Sequence, residues 1–239
     1  MKKKVKCVVL SIAAIFLLLI GAGLFYYFPM FLMTPAETGQ IPDSNIYTIK
    51  DIGSNVYFVT TDNGYIMIDA GMNIKNIENS LREAGINASE VKWIFLTHSD
   101  GDHVASLTLF SNANIYMSKD ELPLINGTRK RFFLGGNKMP SGVTLENIML
   151  LSTGQELLLN GTKIECILAP GHTIGSMLYL IDDKYLFSGD AFKIKNENMT
   201  VHPYSMDANL SKNTIEQAKK IINSNHVILT SHYGLHYGN

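Results

Sequence analysis

Cysteine is scarce in this chain: two residues, Cys7 and Cys166, in 239. Cys7 lies in an apolar N-terminal run and Cys166 in an expected strand, which excludes a disulfide framework and leaves stability to packing or metal. An excess of charge of either sign is also missing. Twenty Lys and Arg stand against 21 Asp and Glu, for a net charge of −1, so the overall balance points to no nucleic-acid partner. Beyond the first six positions there is no long basic run, and the short patch Arg129-Lys130-Arg131 reads as a solvated loop, with contact to an anionic substrate as the alternative. No internal repeat and no glycine-rich phosphate loop is present.

One long apolar run is present. Lys2, Lys3, Lys4 and Lys6 precede an uncharged stretch from Cys7 to Phe28. At 1.5 Å per residue it makes about 33 Å of helix, enough to cross the hydrocarbon core. The aromatic group Phe25-Tyr26-Tyr27-Phe28 suits the far interface, and Pro29 helps end the helix. Residues 1–33 are therefore read as a signal anchor in the cell membrane, single-pass, with the catalytic part outside the cytoplasm. Cleavage at Gly21-Ala22-Gly23 and secretion is the alternative, disfavoured because apolar character continues through Phe31-Leu32-Met33. Pro, Gly and polar content mark residues 34–44 as a linker to a domain over 45–239.

Within that domain, strands are expected at Tyr65-Ile66-Met67-Ile68 and Val91–Leu96. They are also expected on both sides of Asn160-Gly161, at Met177–Ile181, at Tyr185–Ser188 and at His226–Thr230. Helices are expected over Ile74–Ala84, with Gly85 as C-cap, over Val104–Phe110 and over Ser211–Asn223. Residues 126–146 read as an irregular loop or lid. Strands in two clusters, each followed by helix, imply a layered α+β fold.

The densest feature is Thr97-His98-Ser99-Asp100-Gly101-Asp102-His103, directly after the strand Trp93-Ile94-Phe95-Leu96. Charged groups crowd in this way at low cost only where a cation compensates them. Other expected strands also end in ligand-type residues, at His172, Asp190 and His232, so that ligands can converge on one sheet edge. Glycines beside them let the backbone turn sharply. A lone His is more often a hydrogen-bonded structural residue; the set is harder to explain that way.

Over about residues 45–239 the chain resembles the metallo-β-lactamase-fold hydrolases. The resemblance rests on Asp69 in Ile-Asp-Ala-Gly, the stretch from His98 to His103, His172 in Pro-Gly-His-Thr, Asp190 in Ser-Gly-Asp, and His232 near the C-terminus. It implies a four-layer αββα sandwich holding one or two metals between two sheets. By motif, His98, Asp100, His172 and Asp190 would form the first metal site. Asp102, His103, His232 and the same Asp190 would form the second, and Asp69 would be the buried carboxylate that orients ligands. His236 is the rival of His232; His202 reads as loop or pocket lining, and His226 as structural. Two zinc ions are expected, with iron or manganese as alternatives.

One position departs from the common pattern His-X-His-X-Asp-His: its second His is here Asp100. With two divalent metals, three carboxylates and a bridging hydroxide, the centre would be near neutral instead of carrying one positive charge. It would polarise a carbonyl less strongly. The implied activity is metal-dependent hydrolysis of a small-molecule ester, thioester, lactone, lactam or phosphodiester. A metal-bound hydroxide oriented by Asp102 is the nucleophile, and Lys193 is the candidate for binding a substrate carboxylate. A non-catalytic interaction protein and a diiron-type redox site are the competing classes. Loops 126–146 and 192–210 would set the substrate.

Overall fold

The structure is a computed structural model, and it describes residues 15–25, 27–131 and 137–238. Contacts divide the chain into two compact units, with the boundary between Met33 and Thr34. In the first, Ile15–Leu32 is an exposed helix long and apolar enough to cross a membrane by length and composition. The first part of the expected anchor, residues 1–14 with its lysines and Cys7, lies outside the described residues.

The second unit holds two sheets. The first runs in chain order: β1 (Gly39–Gln40), β2 (Ile46–Asp51), β3 (Ser54–Thr61), β4 (Gly64–Ile68), β5 (Val91–Leu96), β6 (Asn114–Ser118), β7 (Ile148–Leu151). The other contains β8 (Glu156–Leu159), β9 (Thr162–Leu168), β10 (Met177–Ile181), β11 (Tyr185–Gly189), β14 (Val227–Thr230) and β15 (Gly234–Tyr237). Its order is β15-β14-β11-β10-β9-β8, and β12 (Lys193–Lys195) pairs with β13 (Asn198–Thr200) as a separate hairpin. Segment 34–44, expected as a linker, contributes β1. It is tied down further by Thr34 N–H to the His232 carbonyl and by Ala36 N–H to Asn55 Oδ1.

Local chemistry explains the elements. Helix α1 (Ile74–Ala84) is capped by the Asn73 side chain, which accepts from Asn76 N–H, and ends at Gly85 with φ of 70°. It buries Ile77 and Leu81 one turn apart. Asn160 and Gly161 both have positive φ, the requirement of the tight turn joining β8 and β9. The last helix, α4 (Ala208–Ile221), begins three residues before the expected Ser211, because Asp207 accepts from Asn209 and Leu210 N–H. The helix expected over Val104–Phe110 is displaced as well. Instead a short helix, α2 (Gly101–Val104), contains Asp102 and His103, and 3₁₀ geometry follows at Leu107–Leu109. A single turn, α3 (Leu122–Ile125), follows β6.

Apolar side chains settle the layering. Tyr57, Ile68, Phe95, Ile164, Tyr179 and Phe187 belong to a core sealed between the sheets. Ile77 and Leu81 of α1 pack with Phe58 and Met67 on the outer face of the first sheet; Ile215 and Ala218 of α4 pack with Leu178 and Ile228 on the other. The result is the αββα sandwich, since each sheet must cover both faces. Hydrogen bonds also cross between the sheets close to the ligand-bearing ends. Tyr57 OH donates to the Thr230 carbonyl and Tyr179 OH to that of Leu96, each at 2.7 Å. Met177 N–H reaches Thr97 O at 2.9 Å, and Asn55 N–H reaches Ser231 O at 2.7 Å.

Candidate metal centre

The strands β4, β5, β9, β11 and β14 all end toward one edge of the sandwich. In the first sheet β4 runs parallel to β5; in the other β11 runs parallel to β14, and β9 and β11 are both antiparallel to β10. The loops that follow these strands carry Asp69, His98 to His103, His172, Asp190 and His232. Their side chains meet there. Around Asp190 Oδ2 stand five imidazole Nε2 atoms: His232 at 3.0 Å, His172 at 3.4 Å, His103 at 3.7 Å, His202 at 3.8 Å and His98 at 4.0 Å. Asp102 Oδ2 lies 3.3 Å from His232 Nε2 and 3.6 Å from His103 Nε2. Asp100 Oδ2 lies 3.2 Å from His172 Nε2 and 3.5 Å from His98 Nε2.

These separations fit metal ligation. Ligands at about 2.0–2.2 Å from a tetrahedral ion stand roughly 3.3–3.6 Å apart. Two pockets share Asp190: one of His98, Asp100 and His172, the other of Asp102, His103 and His232. His98 Nε2, His103 Nε2 and Asp190 Oδ1 are buried without a hydrogen-bond partner, a costly condition that a cation would relieve. The donor chemistry, imidazole and carboxylate without thiolate, suits zinc and also iron or manganese.

Surrounding groups fix which ring nitrogen faces inward. His103 Nδ1–H donates to Asp69 Oδ2 at 2.8 Å, and His232 Nδ1–H to the Gly53 carbonyl at 2.7 Å. Thr97 Oγ1 donates to Asp69 and therefore accepts from His98 Nδ1–H at 3.0 Å. Each leaves Nε2 as the atom able to ligate. Asp69 itself has φ of 58°; its N–H donates to the Phe95 carbonyl, and its carboxylate accepts from Thr97 N–H.

Four residues around the centre, Glu121, His202, Arg131 and Asn137, have roles the sequence does not announce. Glu121, fully buried, accepts from Ser99 N–H and Oγ–H through one oxygen and from Thr173 Oγ–H and Gly175 N–H through the other. It thereby clamps the loop after β5 to the loop after β9. The Gly175 backbone presses so closely on residues 120–121 that a Cβ there would collide. No local pattern in the sequence marks Glu121 for this role, because its partners come from segments 22 and 54 residues away. His202, read as loop or pocket lining, is buried in the cluster, and neither of its ring nitrogens has a hydrogen-bond partner.

Arg131 corrects an expectation. The patch Arg129-Lys130-Arg131 reads as a solvated loop, yet the Arg131 side chain is 1% exposed and forks onto Asp100. Nε donates to Oδ1 at 3.0 Å and Nη2 to Oδ2 at 2.9 Å, while Asn137 Nδ2 adds a bond to Oδ1 at 2.9 Å. Nη2 also reaches His172 Nε2 at 3.0 Å and the Tyr204 carbonyl at 2.8 Å. Asp100 consequently does not cap α2, although it occupies the N-cap position.

His236 turns away, with Nε2 to the Tyr233 carbonyl, and His226 Nδ1 accepts from Asn223 N–H at 3.0 Å. Lys193 opens β12 opposite Thr200, and no hydrogen bond or ion pair joins it to the cluster among the described residues. Cys166 is a buried free thiol; burial chiefly raises its pKa to about 12.

Without metal, burial and charge oppose each other here. Burial alone would lower His232, but Asp190 and Asp102 outweigh it and raise its pKa to about 10; His103 rises for the same reason beside Asp102 and Asp69. For His172 burial wins, taking the pKa down to about 4. A raised His stabilises fully below its unfolded value of about 6.5 and loses that contribution as pH climbs through its folded value. A depressed His has the reverse sign, losing its contribution as pH falls from about 6.5 to its folded value. Metal-free protein should therefore be most stable near neutral pH and weaken on both sides. Denaturation midpoints between about pH 4.5 and about pH 9.5, the span set by these shifts, check this; a flat profile would contradict it.

Residues 49–229 match Lactamase_B, the metallo-beta-lactamase superfamily. The chain belongs to that superfamily. A probable polyketide biosynthesis zinc-dependent hydrolase of Bacillus subtilis is 31% identical over 147 residues, 60% of this chain and 53% of that protein. The match spans about half the length of the curated relatives. Among solved structures, a beta-lactamase from Chitinophaga pinensis has a TM-score of 0.64 at 23% identity, covering 83% of this chain and 79% of that one. A metallo-beta-lactamase from Cronobacter sakazakii, described by its HARLDQ motif, has a TM-score of 0.64 at 20% identity, covering 84% and 79%. At such identities the superfamily likeness in these structures is one of fold.

Proposed function

We propose that this member of the superfamily is a metal-dependent hydrolase acting on a small-molecule ester, thioester, lactone, lactam or phosphodiester. The observation that carries the reading is the pair of donor sets joined at Asp190 Oδ2, with buried, unpartnered Nε2 atoms of His98 and His103 aimed at the shared space. His98, Asp100, His172 and Asp190 would hold a metal in one pocket, and Asp102, His103, His232 and Asp190 in the other. Zinc is favoured by the donor set and by the named zinc-dependent relative.

A divalent ion held there supplies Lewis acidity and makes water more acidic near neutral pH. The chain's own residues do the rest. Asp102, a third exposed on its side chain, would accept a proton from an attacking water, a role its exposure beside the cluster supports. Burial would raise its pKa, but His103 and His232 hold it well below the usual carboxylate range, so it stays ionised. His202 is a second inward group able to meet an oxyanion or leaving group. Lys193, the first residue of the hairpin strand β12, is the candidate anchor for a substrate carboxylate, and the hairpin would have to present it.

The helix Ile15–Leu32 supports membrane attachment, and we assign the catalytic unit to the outer side on the lysines at positions 2–6. The near-neutral net charge argues against a nucleic-acid substrate. The test is metal analysis of full-length protein in detergent, followed by turnover of an ester, thioester, lactone, lactam and phosphodiester panel. Hydrolysis abolished by chelation and restored by zinc is expected. Full metal loading without turnover of any substrate would overturn the enzymatic reading.

A further inference from the structure

We infer that Arg131 is a resident cation of the first pocket, so that a single metal is held tightly, by Asp102, His103, His232 and Asp190. The inference rests on the metal reading above and narrows it to one pocket.

His172 is already engaged in the first pocket. An imidazole Nε2 that is not protonated has one in-plane lone pair, which serves either a hydrogen-bond donor or a metal but not both. Arg131 Nη2 lies 3.0 Å from that atom and donates to it. A guanidinium has no lone pair to accept with, so this bond forms with the ring proton on Nδ1; in the other tautomer Nε2–H donates to Asp100 Oδ2 at 3.2 Å, and in either case the atom is already engaged within the pocket. Asp100, the other outer donor of the same pocket, receives the fork of Arg131 through both oxygens and a third bond from Asn137. The carboxylate charge of that pocket is thus already neutralised by a cation that cannot be deprotonated. A divalent ion entering beside it would meet a fixed positive charge at close range in a buried site, besides displacing two hydrogen bonds.

The second pocket holds no guanidinium among the described residues, and its imidazoles can release a proton when a metal enters. His103 Nε2 has no hydrogen-bond partner, His103 and His232 are oriented from behind by Asp69 and the Gly53 carbonyl, and the facing charges are the carboxylates Asp102 and Asp190. Arg131 is not loosely placed either. Its Nη2 is also tied to the Tyr204 carbonyl, and Asn137, which joins it on Asp100, bonds Ser99 Oγ at 2.6 Å. A carboxylate at Asp100, in place of the family's usual imidazole, is what a guanidinium can grip bidentately.

The test is stoichiometric. Full-length protein in detergent is stripped with chelator and titrated with Co²⁺, read by its visible absorption and by metal content after dialysis. Wild type should retain about one equivalent and Arg131→Ala about two; His103→Ala should retain almost none, and the double variant about one. Two equivalents of equal affinity in the wild type would overturn the inference while leaving the metal reading intact, as would a folded Arg131→Ala that still takes one. Should Arg131→Ala fail to fold, His103→Ala decides alone: no retained metal supports the inference, and one tight equivalent sinks it. A wild-type protein that binds no metal defeats the metal reading and this inference together.

Discussion

Replacing Asp190 by Asn is expected to lower metal affinity by about 10²–10³-fold and to remove hydrolysis with it. The substitution keeps shape and takes away one charge. Asp190 Oδ2 is the atom on which the cluster converges, 3.0 Å from His232 Nε2 and 3.4 Å from His172 Nε2. Burial alone would favour its protonated form, yet the surrounding histidines, His232 foremost, keep its pKa well below the usual range, so it is a carboxylate in metal-free protein as well. An amide supplies no charge to offset an incoming divalent ion, and its NH₂ would point donors at nitrogens that must ligate. Competition against a chromophoric chelator measures the affinity. An unchanged affinity in Asp190→Asn would mean that the metal, if any, is held elsewhere.

Asp69→Asn should weaken metal binding by about 10–100-fold, without touching a ligand. Asp69 sits beneath the centre and accepts from His103 Nδ1–H, Thr97 N–H and Thr97 Oγ–H. Asn tolerates the positive φ at this position, so the backbone is not newly strained and the effect isolates the carboxylate. The amide nitrogen must face one of these donors, either releasing His103 from its orientation or breaking the Thr97 relay to His98. Affinity and denaturation midpoint should be measured together. A large loss of stability with unaltered metal affinity would make Asp69 a purely structural residue.

Much of the site is legible in sequence because of how a sheet works. Ligands that follow strands pointing the same way are delivered to one edge, so the stretch His98–His103, His172, Asp190 and His232 could be picked out from their positions after apolar runs, whereas the role of Asp69 came from the family resemblance. His232 was separable from His236 on the same ground, and the structure places only His232 on Asp190. The helix over Ile74–Ala84 and the turn at Asn160-Gly161 were readable because capping and turn chemistry act within a few residues.

Arg131, Glu121, Asn137 and His202 were beyond that reach. Arg131 acts on Asp100 across 31 residues, and Glu121 on Thr173 across 52. All four lie in loops or in a short turn, where no periodicity announces which side is buried. A basic triplet is usually solvated, and only the packing of Arg131 and Asn137 against the loop after β5 makes one of its arginines an interior cation. Sequence by itself determined the layered α+β arrangement and the set of ligand candidates, since these follow from local pattern, and its motifs carried the resemblance to the superfamily. Tertiary structure alone decided that Asp100 faces an arginine, because a charge's partner is fixed by through-space distance.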